Sequence, residues 1–327
     1  MKNYLIIGAI AAASFGSGIF FFNEFLINRP DAANGSSTIV RLGAQGLINP
    51  FLYAASKDSN SSFKPLKSKL NNKIKEDIQA GFSSVISVYF NDLNTGKWTG
   101  VNEDEKFAPA SLLKVPTMIA YLKAAETDPA ILRADLLYNG SFDGNAAEDI
   151  KPLKSIEAGH AYTADDLLRF MIGYSDNNAF LILSKYIGDP AVTGVINDLN
   201  IQYPTSTPTV DFMSPKEYSR FFRVLYSSTY LTKGMSQKAL ELLSYSDFPQ
   251  GIESGLPEGT TVAQKFGERY FTKEDGVNKE LHDCGIVYHP KNPYVLCIMT
   301  KGTDIEKMTA AIHDLSAVAW QEVNSWN

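Results

Sequence analysis

Cysteine is nearly absent. The chain carries two, Cys284 and Cys297, so no disulfide framework of the kind that staples small secreted domains is available. Histidine is scarce as well. The four, His160, His282, His289 and His313, stand in no zinc-ligand spacing, and neither do the cysteines, so no metal and no other cofactor is expected. Each histidine reads as surface or core packing. Basic residues are scattered, the net charge is −6, and no lysine- or arginine-rich run exists to track a nucleic acid. Nor is there an internal repeat. What remains is a protein rich in apolar residues, expected to be a monomer: 44% of 327 side chains are hydrophobic, enough for one large domain or two intimately packed ones.

The first apolar run, Tyr4 to Phe22, holds no charge and is flanked by Lys2, Glu24 and Arg29. It is long enough to cross a bilayer. The only small-residue cluster, Ala11 to Ser14, comes too early for a normal signal-peptide cleavage site. Residues 1–28 are therefore read as an uncleaved signal-anchor, with a cleaved signal peptide as the alternative. Lys2 stays in the cytoplasm and everything after about Asn28 lies outside, on a single-pass membrane protein. Residues 29–65, rich in Ser, Asn, Asp, Gly and Ala, read as a linker whose apolar island Leu47–Leu52 can dock on the folded domain. That domain runs over 66–327.

Within it, Ser111 opens a segment that is apolar nearly all round, with Leu112, Leu113, Val115, Met118, Ile119 and Leu122. A helix of that kind is buried. Ser111 and Lys114 sit in its first turn, three apart and on one face. A buried lysine tends to lose its proton and can then serve as base to a serine hydroxyl. The bland alternative is an N-cap serine beside a snorkelling lysine. Ser-x-x-Lys alone is a weak signal. The chain supplies a decoy, Ser61-Ser-Phe-Lys64, in a polar run that ends at Pro65.

The surrounding pattern gives an order of elements. Leu66, Leu70, Ile74 and Ile78 predict an amphipathic helix, and 85–90 and 97–101 predict a hairpin. After the apolar helix the chain is largely helical. Thr163 caps one helix, Ser175-Asp-Asn177 breaks two, and Ser214-Pro-Lys-Glu217 is a capping box with proline at the first position. Strands return at 260–267, 283–289 and 294–300, and a helix over 304–323 closes the chain. If 283–289 and 294–300 pair, Cys284 and Cys297 approach one another, but the register is open. The two ends share a sheet and the helical middle forms a second lobe, with a cleft between them.

Ser111-Leu-Leu-Lys114, Ser175-Asp-Asn177 and Lys265-Phe-Gly267 follow one another as do the Ser-x-x-Lys, Ser-Asp-Asn and Lys-Thr-Gly motifs of class A β-lactamases and penicillin-binding proteins. The ending Gly285-Ile-Val-Tyr to Met299-Thr-Lys-Gly302 also resembles the last hairpin of that family. The resemblance covers roughly residues 66 to 325. It implies an α+β fold, with an antiparallel sheet flanked by helices, an all-helical lobe and the active site in the cleft between them. It also implies a serine hydrolase. Ser111 is the nucleophile and Lys114 its base. Ser175 relays the proton, Asn177 holds Lys114 or the substrate, and Asp176 fixes the turn. Lys265 offers charge to a substrate carboxylate, Gly267 lets the substrate lie close, and the N–H groups of Ser111 and Glu268 form an oxyanion hole.

Two departures stand out. Phe266 replaces the family's hydroxyl, and no glutamate occurs from Ala158 through Lys216, where class A enzymes carry the base that activates the deacylating water. Asp211 is the nearest carboxylate and the candidate replacement. Three readings follow: a β-lactamase-like hydrolase, a D-Ala-D-Ala peptidase acting on peptidoglycan-stem-like substrates, or a sensor that keeps the pocket without turnover.

Overall fold

Strand β9 (Tyr294–Gly302) shows how the molecule is layered. Tyr294, Leu296 and Ile298 enter one apolar core, while Val295, Cys297 and Met299 enter another. Successive side chains leave a strand on opposite faces, so a continuous apolar run buries both. The computed structural model describes residues 39–41, 43–54, 63–204, 211–273 and 276–326. The segment Tyr4–Phe22 and the decoy's Ser61 lie outside them. Among the described residues no single helix is long and apolar enough to cross a membrane.

The central sheet is antiparallel and five-stranded, in the order β4-β3-β9-β8-β7. Its strands are β3 (Val85–Asp92), β4 (Trp98–Val101), β7 (Val262–Lys273), β8 (Gly276–Val287) and β9. The two ends of the domain therefore do share one sheet. Helices α1 (Lys64–Gln79) and α8 (Ile305–Asn324) cover one face, against Ile86, Val88, Phe90, Leu296 and Ile298. On the other face sits the helical lobe: α2 (Lys114–Ala125), α3 (Ala164–Gly173), α4 (Asn177–Ile187), α5 (Asp189–Asp198), α6 (Pro215–Ser227) and α7 (Lys233–Leu243). The α+β architecture expected from the sequence is the one found.

Ser214 and Glu217 form the reciprocal capping box at the start of α6, and Thr163 caps α3 through the Asp166 N–H. Cys284 and Cys297 stand directly opposite one another in β8 and β9 and form a disulfide, the one point at which the scarce cysteines act together. Earlier in the chain, β1 (Ile39–Arg41) pairs with β2 (Phe51–Ala54), and Ile48 between them is buried in the helical-lobe core.

The mixed, acidic stretch 132–159 does not join the helices around it: β5 (Asp135–Tyr138) pairs with β6 (His160–Thr163), and the chain between them is largely loop. Both strands are short and mostly exposed, so they carry no buried face and left no alternation to read. Ser111 does not open the α-helix either. It lies in a tighter 3-10 turn, Ala110–Leu113, and α2 begins at Lys114.

Candidate active site

The turn that carries Ser111 is anchored on three sides. Ala110 adopts a left-handed conformation, φ 49°, which costs a non-glycine residue about 1–2 kcal/mol and turns the chain sharply before the serine. Glu280 and His282, both fully buried on β8, bind the Ala108 N–H at 3.1 Å and the Ala108 carbonyl at 3.0 Å. Tyr218 donates to the Leu112 carbonyl at 2.9 Å. On the fourth side β7 passes close by. A Cβ at Gly267 would lie 3.0 Å from both the Leu112 nitrogen and the Pro109 oxygen. Gly267 thus serves first to let the strand meet the turn, a packing reason where the sequence suggested room for substrate.

Ser175, like Ala110, is left-handed, with φ 58°. Strain held at a site by its surroundings marks positions where geometry matters. Asp176, fully buried, holds the break between α3 and α4. It accepts from the Asn178 N–H at 2.8 Å, the Ile156 N–H at 2.9 Å, Asn145 Nδ2 at 2.9 Å and Ser155 Oγ at 3.1 Å.

These supports bring the separated residues together. Lys114 Nζ lies 2.8 Å from Ser111 Oγ, 3.0 Å from Ser175 Oγ, 2.7 Å from the Ser175 carbonyl and 2.6 Å from Asn177 Oδ1. Lys265 Nζ reaches the same Ser175 Oγ at 2.8 Å and the Phe266 carbonyl at 2.9 Å. One serine hydroxyl therefore bridges two lysines. The N-cap and snorkelling alternative fails, because no side chain caps the turn or α2 and Lys114 is fully buried.

Burial brings the Lys114 ammonium down to about 7, and the carboxylates of Glu148, Asp176 and Glu268 only partly offset it. Burial, and then the charge on Lys114, push Lys265 well below the usual lysine range. A neutral amine 2.8 Å from a hydroxyl can accept its proton. Lys265 does not offer charge to the cleft as the sequence suggested. It is wholly enclosed, and its amine is spent on Ser175 and Phe266. The Phe266 ring lies 4.1 Å from Lys265 Nζ and stacks on Phe248 at 4.3 Å, so an aromatic face stands where the family has a hydroxyl.

In front of Ser111 opens a cleft of about 300 Å³ whose lining includes Glu148, Asn177, Phe180, Glu268 and Arg269. Asp211 does not line it. Its short side chain is committed to Lys301 at 2.6 Å, with Arg269 at 3.8 Å, which removes the expected stand-in for a loop base. Glu148 was missed by sequence reasoning. It sits in the acidic loop between β5 and β6, where no motif marks it, yet its Oε1 accepts from Asn177 Nδ2 at 2.6 Å. Glu268 lines the cleft with its side chain as well as its backbone. Burial, and a hydrogen bond with Glu148, raise its carboxyl to about 7 against the opposing pull of the Ile150 N–H. Among the described residues no group of histidine, cysteine and carboxylate side chains could hold a metal ion.

Known proteins resemble this chain in family and in fold. The model of the β-lactamase enzyme family matches residues 67–323. The fold resembles that of the extended-spectrum β-lactamase TLA-3, with TM-score 0.68 and 18% identity over 79% of this chain and 99% of that one. A β-lactamase from Sphaerobacter thermophilus gives 0.65 and 20% over 79% and 97%. PBP-A gives 0.64 and 19% over 78% and 97%. No curated protein sequence matches. With three motifs converging on one cleft and the family model spanning most of its length, the chain belongs to the β-lactamase enzyme family.

Proposed function

We propose that this protein is a serine hydrolase that opens β-lactam or related amides through an acyl-enzyme on Ser111. One observation carries the reading: the Lys114 amine, brought down to about 7 by burial, lies 2.8 Å from Ser111 Oγ. Lys114 takes the hydroxyl proton as Oγ attacks the carbonyl carbon. The N–H groups of Ser111 and Glu268 stabilise the developing oxyanion, each worth about 3 kcal/mol. Ser175, held between Lys114 and Lys265, passes a proton to the departing nitrogen. The substrate is a small molecule or a peptidoglycan-stem-like peptide.

A second reading, a D-Ala-D-Ala peptidase, is favoured by the absence of any glutamate between Ala158 and Lys216. Incubation with a penicillin and, separately, with a D-Ala-D-Ala peptide distinguishes the two. Catalytic ring opening of the penicillin supports the first reading. Release of D-alanine with a lasting penicillin adduct supports the second, and an adduct with neither turnover supports a sensor.

The apolar, uncharged run Tyr4–Phe22 supports a single-pass anchor with the hydrolase domain outside the cytoplasm. The Cys284–Cys297 disulfide suits an oxidising compartment. Alkaline carbonate extraction of membranes tests this placement. A full-length protein released into the supernatant would contradict it.

A further inference from the structure

The acidic loop between β5 and β6 is fastened across the cleft to the sheet. Ile150 N–H donates to Glu268 Oε1 at 2.7 Å on β7, and Asp149 pairs with Lys279 at 2.5 Å on β8. Fastening the loop in this way fixes Glu148, half-buried, on the wall of the cleft that contains Ser111. Its Oε1 holds Asn177 Nδ2 at 2.6 Å, and Asn177 Oδ1 holds Lys114 Nζ at 2.6 Å, which in turn contacts Ser111 Oγ at 2.8 Å. A carboxyl group is thus connected to the nucleophile by three short hydrogen bonds. Its second partner is the Glu268 carboxyl. Burial, together with this contact, raises the Glu268 carboxyl to about 7.

We propose that Glu148 is the base that activates water against the Ser111 acyl-enzyme, with Glu268 beside it as a positioning residue. The proposal rests on the acyl-enzyme reading above. One proton of a cleft water passes to Glu148 as the water oxygen bonds to the acyl carbon. The tetrahedral intermediate then collapses. The bond from carbon to Ser111 Oγ breaks, the product leaves as a carboxylic acid, and Glu148 returns its proton to Oγ. No other reactant is needed. Lys114 is less suited to this step because its amine is wholly enclosed and surrounded by four oxygen partners. Glu268 is a positioning residue: its carboxyl, raised to about 7, contacts Glu148 and holds the Ile150 N–H at 2.7 Å, which fixes the loop that carries Glu148. The other charged groups around the pair are Lys114, Lys265, Asp149 and Arg269.

The experiment follows intact mass after mixing full-length protein with a penicillin, for the unaltered chain, Glu148→Gln and Glu268→Gln. The unaltered chain is expected to form an adduct and release it. Glu148→Gln should acylate to full stoichiometry and release roughly 100-fold more slowly or worse, the range of a lost general base. Glu268→Gln keeps a polar side chain beside Glu148, so it should still release product but lose the inflection near pH 7 in the release rate. Release from Glu148→Gln at the unaltered rate overturns the proposal. So does a Glu148→Gln protein that melts as the unaltered chain does but fails to acylate, since Glu148 then serves acylation and not release. A lasting adduct on the unaltered chain overturns the proposal and leaves the acyl-enzyme reading intact. Neither adduct nor product overturns both.

Discussion

Replacing Gly267 by alanine tests whether the sheet positions the nucleophile. The added Cβ would stand 3.0 Å from the Leu112 nitrogen, 3.0 Å from the Pro109 oxygen and 3.1 Å from Leu112 Cγ. Ordinary carbon contacts lie at about 3.5–4.0 Å, so the strand or the turn must retreat by roughly half an ångström. Two of those three neighbours are backbone atoms of the turn that carries Ser111, and Glu280, His282 and Tyr218 hold that turn from other sides. Neither element has an easy direction of escape. Overpacking of this kind costs about 1–3 kcal/mol. Each kcal/mol lowers Tm by roughly 2–4 °C in a domain of this size. The effect on chemistry should be larger than the effect on stability, because the shift separates Ser111 from the Glu268 N–H. A misplacement near 1 Å costs about 100-fold, so a loss on the order of 10-fold or more in the penicillin acylation rate is expected. Stopped-flow acylation alongside thermal melting separates the two effects. A Gly267→Ala protein that melts lower but acylates at the original rate would refute the claim that this contact sets the geometry of the site.

The acylation rate should rise with pH through an inflection near 7, because Lys114 accepts a proton only in its neutral form and is protonated below that point. A rate flat from pH 5 to 9 would contradict this. Asp176→Ala removes the acceptor from four donors at a fully buried site and should destabilise the domain by about 3 kcal/mol or more, read by urea unfolding. A loss below 1 kcal/mol would contradict its assigned role. Replacing Cys284 and Cys297 together by alanine should cost about 3 kcal/mol, since their 13-residue separation closes a loop of nearly the length for which that value is expected. Equal melting temperatures for the two proteins would contradict a formed bridge.

Much of this architecture is legible in the residues alone, and the gaps have physical causes. β9 and α8 are apolar with clean periodicity, so their burial follows from pattern. Ser111, Lys114, Ser175 and Lys265 are visible because each belongs to a short motif with its own spacing. Glu148 is invisible for the opposite reason. It stands in a run of exposed and half-exposed residues, and only the fastening of that loop to β7 and β8 brings it to the cleft. Asp211 shows the converse error: closeness in sequence suggested a role, but Lys301, a strand away, claims its carboxylate. Gly267 stands out in sequence as part of a motif, but its closeness to Leu112 and Pro109 appears only once β7 is placed against the serine turn. Register is the common factor, since neither the disulfide nor the contact between β7 and the serine turn can be read until the strands are paired.

The central claim is that an enclosed Lys114, its ammonium brought down to about 7 by burial, makes Ser111 a nucleophile. Intact-mass and peptide-mapping analysis of the penicillin-treated protein tests it most directly, comparing the unaltered chain with Ser111→Ala and Lys114→Met. The account predicts a single adduct on the peptide containing Ser111, absent from the alanine variant and formed on the order of 100-fold more slowly or not at all in the methionine variant. An adduct that survives Ser111→Ala, or that forms at full rate without Lys114, would contradict it.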